Sequence, residues 1–153
     1  MSDWGSTNRV PAVVALAEGV VLEGELHLLT RPAYPPGPET PLEMLNRPDP
    51  FFALTLADGA VTFVPKAQVA VIDCREQPAL TDPDRINAAK LVGLEVVLRG
   101  GAEYRGRATV ELPPGRARAL DYVNGPGDFF TLVSDDTMHY LNKSLVRIIR
   151  PLD

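Results

Sequence analysis

Few side chains in this sequence are suited to acid, base, nucleophilic or metal chemistry: His27, His139, Cys74 and the adjacent acids Asp135-Asp136. Catalysis or metal binding needs such groups to converge within hydrogen-bond reach. His27 and His139 each fall in a segment that alternates polar and apolar residues, and neither has a second histidine nearby. Both read as partly exposed strand residues. Cys74 has no histidine or second thiol beside it and reads as a buried or incidental thiol. Asp135-Asp136 lies between two apolar runs, where paired acids usually shape a turn, a bound divalent ion being the other reading. No phosphate-cradling glycine loop or nucleophile elbow occurs. The expectation is a protein that is not an enzyme and holds no metal or cofactor.

Groups suited to binding are more numerous. Arg105 and Arg107 share one face of an alternating segment, with Arg99, Arg116 and Arg118 near in sequence. Such a cluster would hold phosphate or a carboxylate-bearing surface, or else form a solvated face. Asp121 and Asn124, with Asn142, Lys143 and Ser144, offer an acceptor, amides and a cation to a small polar ligand. Asp and Asn also cap turns, which is the structural reading of the same residues.

These residues belong to an internal repeat. Val20-Val21-Leu22-Glu23-Gly24-Glu25 recurs as Ala102-Glu103-Tyr104-Arg105-Gly106-Arg107. Leu42 to Asn46 aligns with Leu120 to Asn124, Phe51-Phe52-Ala53-Leu54 with Phe129-Phe130-Thr131-Leu132, and Val61 to Lys66 with Met138 to Lys143. The offset falls from 82 to 78 to 77, so the first copy carries an insertion, placed mostly in the proline-rich stretch from Leu29 to Pro36. Glu43, Asn46 and Lys66 then occupy the places of Asp121, Asn124 and Lys143. Glu23 and Glu25 are acidic where Arg105 and Arg107 are basic. That inversion suggests contact between unlike copies, within one chain or head-to-tail between chains.

The elements that would position these groups are short. Fifteen prolines and twelve glycines punctuate 153 residues, which favours many strands and turns over long helices. Period-2 patterning predicts strands at Ala12–Ala17, Val20–Leu29, Phe51–Leu56, Val61–Val64 and Val69–Asp73. The second copy repeats them at Leu94–Leu98, Glu103–Val110, Asp128–Ser134, Met138–Asn142 and Val146–Arg150. Asp58-Gly59, Gly100-Gly101 and Asp135-Asp136 mark hairpin turns. Thr40-Pro41-Leu42-Glu43 has the pattern of a helix start, with Thr40 as N-cap and Glu43 reaching back. Asp82-Pro83 opens a predicted linking helix to about Leu91, with Ile86 and Ala89 inward. The fold expected is all-β: two tandem five-stranded small barrels, residues 1–76 and 77–153, joined by that helix.

Bulk properties narrow the partners. Hydrophobic residues make up 45% and charged residues 23%, the balance of a globular chain. The net charge of −5 resides in residues 1–76, which hold ten acidic and five basic side chains; residues 77–153 hold ten of each. An acidic or neutral surface weighs against general RNA binding. The longest apolar run, Val10 to Ala17, is too short to span a bilayer, and no secretory leader pattern opens the sequence. With a single cysteine, the expectation is a cytoplasmic protein without a membrane partner.

The second copy resembles the Sm-like group of SH3-like small barrels, through Val97-Leu98, Gly101, Tyr104 and Gly106, then Asp121-Tyr122-Val123-Asn124, then Leu141 to Ile148. The resemblance covers about 55 residues of that copy and is fainter in the first. The sequence is similar also to uncharacterised bacterial proteins with a Pro-Pro-Gly, Leu-Asp-x-x-Asn, Phe-Phe, Leu-Asn-Lys pattern. The Arg-Gly pair that flanks RNA bases in Sm proteins is Lys143-Ser144 here. The resemblance implies small barrels whose edge strands add to a neighbour's sheet. The function expected is a non-catalytic interaction or assembly module that self-associates or binds a protein. The alternative is an Sm-like RNA-binding regulator using the arginines and the Asn124 and Asn142 loops.

Overall fold

Alternating apolar side chains build ten strands, and tight turns join most of them. The computed structural model describes residues 8–31, 37–75, 90–110 and 118–152. The first half holds β1 (Asn8–Leu16), β2 (Val21–Leu28), β3 (Phe51–Leu56), β4 (Val61–Pro65) and β5 (Val69–Arg75). The second holds β6 (Lys90–Leu98), β7 (Glu103–Val110), β8 (Phe129–Ser134), β9 (Thr137–Asn142) and β10 (Val146–Pro151). Helices α1 (Pro41–Asn46) and α2 (Ala119–Val123) lie between the second and third strands of each half, and 3-10 turns at Lys66–Gln68 and Lys143–Leu145 precede the last strands.

The expected strands are present, with β1 and β6 each starting four residues earlier than expected. In β1 the added turn of alternation is legible in Val10 and Ala12, which are buried with Val14. Pro11 is tolerated because β1 pairs with β2 along its length, whereas β5 joins it only from Val13 onward. The expected linking helix, Asp82 to about Leu91, falls for most of its length on residues 82–89, outside the described residues; its last positions, Lys90 and Leu91, are strand. There they pair with Val110 and Thr109 of β7.

One antiparallel sheet holds all ten strands in the order β10-β6-β7-β8-β9-β5-β1-β2-β3-β4. Each half contributes the same arrangement, with its last strand beside its first and its fourth strand at the far side. The all-β class is therefore as expected. Five-stranded closure within each half is not what the ladder forms: β9 of the second half pairs with β5 of the first, and the sheet runs on as an open ribbon. Sequence patterning specifies which face of a strand is buried but not which strand lies beside it.

Two glycines set how closely the strands approach. A Cβ on Gly24 would come 2.3 Å from the Thr55 carbonyl oxygen, and one on Gly106 would come 2.4 Å from that of Val133. Only glycine permits these crossings of β2 with β3 and β7 with β8. A bulge recurs as well: Ala70 in β5 and Arg147 in β10 are each the extra residue opposite the first strand of their half.

The core forms two clusters. The first gathers Val14, Leu26, Met44, Leu45, Leu54 and Ile72, and also takes in Phe129 and Tyr140 from the second half. The second gathers Leu94, Val96, Phe130, Leu132 and Leu141, with Val71 from the first half. The halves thus share apolar burial across β5 and β9.

Candidate assembly interface

The seam between the halves is built from paired strands and side-chain clamps. Val71 to Arg75 of β5 run opposite Leu141 to Thr137 of β9. Asn46, at the end of α1, reaches across to the backbone of Phe129: its Nδ2 donates to the Phe129 carbonyl at 3.3 Å, and its Oδ1 accepts from the Phe129 N–H at 2.9 Å. Asn142 is buried and donates to the carbonyls of Val69 (2.9 Å) and Lys66 (3.4 Å). Its Oδ1 accepts from the Ser144 N–H and hydroxyl. His139 Nδ1 lies 2.5 Å from Asp73 Oδ1 in the same seam, with Tyr104 edge-on to the imidazole. Cys74 is buried there, and burial pushes its thiol up to about 12.

That shift has a sign that can be checked. The unfolded thiol ionises near pH 8.5, while the folded one stays neutral to about 12. Above pH 8.5 the unfolded state therefore gains stability relative to the native one, by about 1.4 kcal/mol per pH unit for this group. Denaturant titrations from pH 8 to 11 should show stability falling, and falling less steeply in Cys74→Ala. Equal slopes would place the thiol in contact with water.

At its two ends the sheet has strands paired on one side only among the described residues: β4 with β3, and β10 with β6. Both ends display large apolar side chains. Phe63 of β4 is 64% exposed and Phe51 beside it 55%, while Ile148 of β10 is 42% exposed. Val61 and Leu152 add to these surfaces. Within the seam the aligned residues are covered: Tyr140 is 2%, Phe129 3% and Val71 2% exposed.

The residues singled out from sequence are dispersed rather than gathered. Arg105 donates to Glu95 at 2.6 Å and Arg150 to the same carboxylate at 2.7 Å, and these bonds hold the Glu95 carboxyl below the usual range. Arg118 pairs with Asp121, which also accepts the Arg118 N–H at 3.2 Å and so closes the start of α2. In α1 Glu43 does the same for Thr40, completing the expected capping box. Arg99 and Arg107 are exposed, and Arg116 lies outside the described residues. Glu25 sits 3.8 Å from Arg9 and Glu23 is exposed, both along a shallow groove over β1, β2 and β5. Oppositely charged Glu25 and Arg105 thus pair within their own halves.

Lys143 and Lys66 act as clips. Lys143 donates to the Gly125 carbonyl at 2.7 Å; Lys66 donates to those of Met44 (2.8 Å) and Arg47 (3.1 Å). Each closes the C-terminal end of its short helix, where carbonyls lack intrahelical partners. Burial pushes both ammonium groups below the usual lysine range. Asn124 ends α2 and is exposed. His27 is buried against the Thr55 hydroxyl at 2.6 Å. Among the described residues no group of three His, Cys, Asp or Glu side chains is placed to hold a metal ion.

Sequence reasoning placed Asn46 and Asn124 in register but missed that Asn46 clamps the other half. The Asp73–His139 pair carried no sequence signal, since its members lie 66 residues apart on strands whose adjacency is not local. No helix among the described residues is long and apolar enough to cross a membrane. Comparison with protein-family models, curated proteins and solved structures finds no match.

Proposed function

We propose that this chain is a non-catalytic assembly module, built from two divergent copies of one five-stranded Sm-like unit, which self-associates by adding strands at the ends of its sheet. The observation that carries this reading is the exposure of Phe63 and Ile148 on the terminal strands, with Phe51 exposed on the neighbouring β3, so that a strand edge and apolar side chains coincide. Such edges are templates for pairing with another chain, and the bulge at Arg147 does not blunt the β10 edge, since its counterpart at Ala70 precedes the residues of β5 that pair with β9. Duplication is supported by the matching strand order, the matching bulges and the matching glycine approaches.

A protein partner suits these surfaces better than RNA. Arg105 and Arg118 are already engaged by Glu95 and Asp121, and Asn142 is buried in the seam. Light scattering on nuclease-treated protein tests the reading. The expected mass is a multiple of the 16.6 kDa chain that rises with concentration. A single-chain mass at every concentration would contradict self-association, and a salt-dependent shift with single-stranded RNA would favour the regulator instead.

A further inference from the structure

We propose that the partner is a second copy of this chain, docked head-to-tail, with β10 of one molecule pairing to β4 of the next and Asn124 of the first holding the backbone of Phe51 of the second. This rests on the self-association proposed above and specifies its surfaces, direction and register.

The template is the seam inside the molecule. There, the first half presents β5 and α1, while the second presents β9 and the start of β8. The corresponding elements at the ends are β10 and α2 of the second half, and β4 and the start of β3 of the first. They lie at opposite ends of one sheet and do not pair within the chain, which leaves pairing between chains. Transferring the seam's register by the 77-residue offset places Ile148 opposite Val64, Ile149 opposite Phe63, Arg150 opposite Thr62 and Pro151 opposite Val61.

Burial supports the same pairing independently of strand order. In the first core, Met44 and Leu45 of α1 are fully buried, in a cluster that takes in Phe129 and Tyr140 of the other half. In the second core the aligned α2 residues, Tyr122 and Val123, remain half-buried. The aromatic pair that would close over them is Phe51 and Phe63, the residues exposed at the far end of the sheet. Each molecule therefore carries at one end what its other end lacks. Asn124 is exposed where Asn46 is engaged, and Phe51 is the backbone it would grip.

The two junctions are not equally strong. Pro65 stands at the position of Asn142, so the clamp onto the Lys66 and Val69 carbonyls has no counterpart between chains. Thr62 and Arg150 replace the His139 and Asp73 pair. Asp49 replaces Gly127, where a Cβ would come within 2.5 Å of the Asn46 amide nitrogen. The contact between chains is thus reversible where the seam is permanent. Being heterologous, it closes into a ring or extends as a filament.

The test is light scattering on the full chain with Phe63→Arg and Asn124→Ala, alongside disulfide trapping in a Thr62→Cys/Arg150→Cys variant. Phe63 is 64% exposed, so Phe63→Arg should reduce the mass to one chain while circular dichroism keeps the native strand signal. Asn124→Ala should raise the concentration of half-assembly about tenfold, and the cysteine pair should give chain multimers on oxidation. Assembly that persists unchanged in Phe63→Arg and Asn124→Ala, with no trapped multimers, would overturn this junction while leaving self-association standing. A native chain that is monomeric throughout would remove both.

Discussion

Replacing Gly106 with alanine is expected to destabilise the protein by about 3 kcal/mol, the larger end of what overpacking costs. The added Cβ would sit 2.4 Å from the Val133 carbonyl oxygen and 3.0 Å from Leu132 Cγ. The obstructing atom is backbone, so relief requires β7 and β8 to separate rather than a side chain to turn. The close crossing is also where β7 hands over to β8, through the Arg107–Val133 pair. Thermal unfolding should therefore fall by about 6–12 °C. Gly24→Ala should behave alike, since it meets the Thr55 carbonyl at 2.3 Å. Unchanged or raised stability, which relief of the glycine's backbone entropy alone would give (about 0.5–1 kcal/mol), would show that the strands do not cross so closely.

Asn142→Ala should cost about as much and for a different reason. Its amide serves carbonyls of Lys66 and Val69 on one side of the seam and the Ser144 N–H and hydroxyl on the other. Truncation leaves several buried polar groups without a partner, each worth about 1–3 kcal/mol. The seam would loosen, so the loss should appear in urea titrations as two separated transitions or a reduced slope. Asn142→Asp would not rescue it, because a carboxylate cannot donate to the Val69 carbonyl. A single transition with native slope and unchanged midpoint would place Asn142 outside the structural core.

Much of this fold was legible because its determinants are local. Alternation placed the ten strands, Thr40 and Glu43 announced the α1 cap, and Gly24 and Gly106 stood out as matched positions of the repeat, though not as strand crossings. What was not legible depends on which elements become neighbours. The adjacency of β5 and β9 made an open sheet out of what read as two closed barrels, and it put Asp73 beside His139. The same adjacency gives Phe51 and Phe129 opposite environments although they align in sequence. Arg105, Arg107 and Arg118 looked like one cluster on spacing alone. Burial of Glu95 and the cap at Asp121 divide it, because carboxylates placed by folding claim two of its members.

Amide hydrogen exchange as a function of protein concentration tests most directly whether strands add at both ends of the sheet. Amides in Val61–Pro65 and Val146–Pro151 should slow together as concentration rises, with β5 and β9 protected throughout. Exchange at β4 and β10 that is fast and unchanged at every concentration, or protection gained at one end only, would contradict head-to-tail addition.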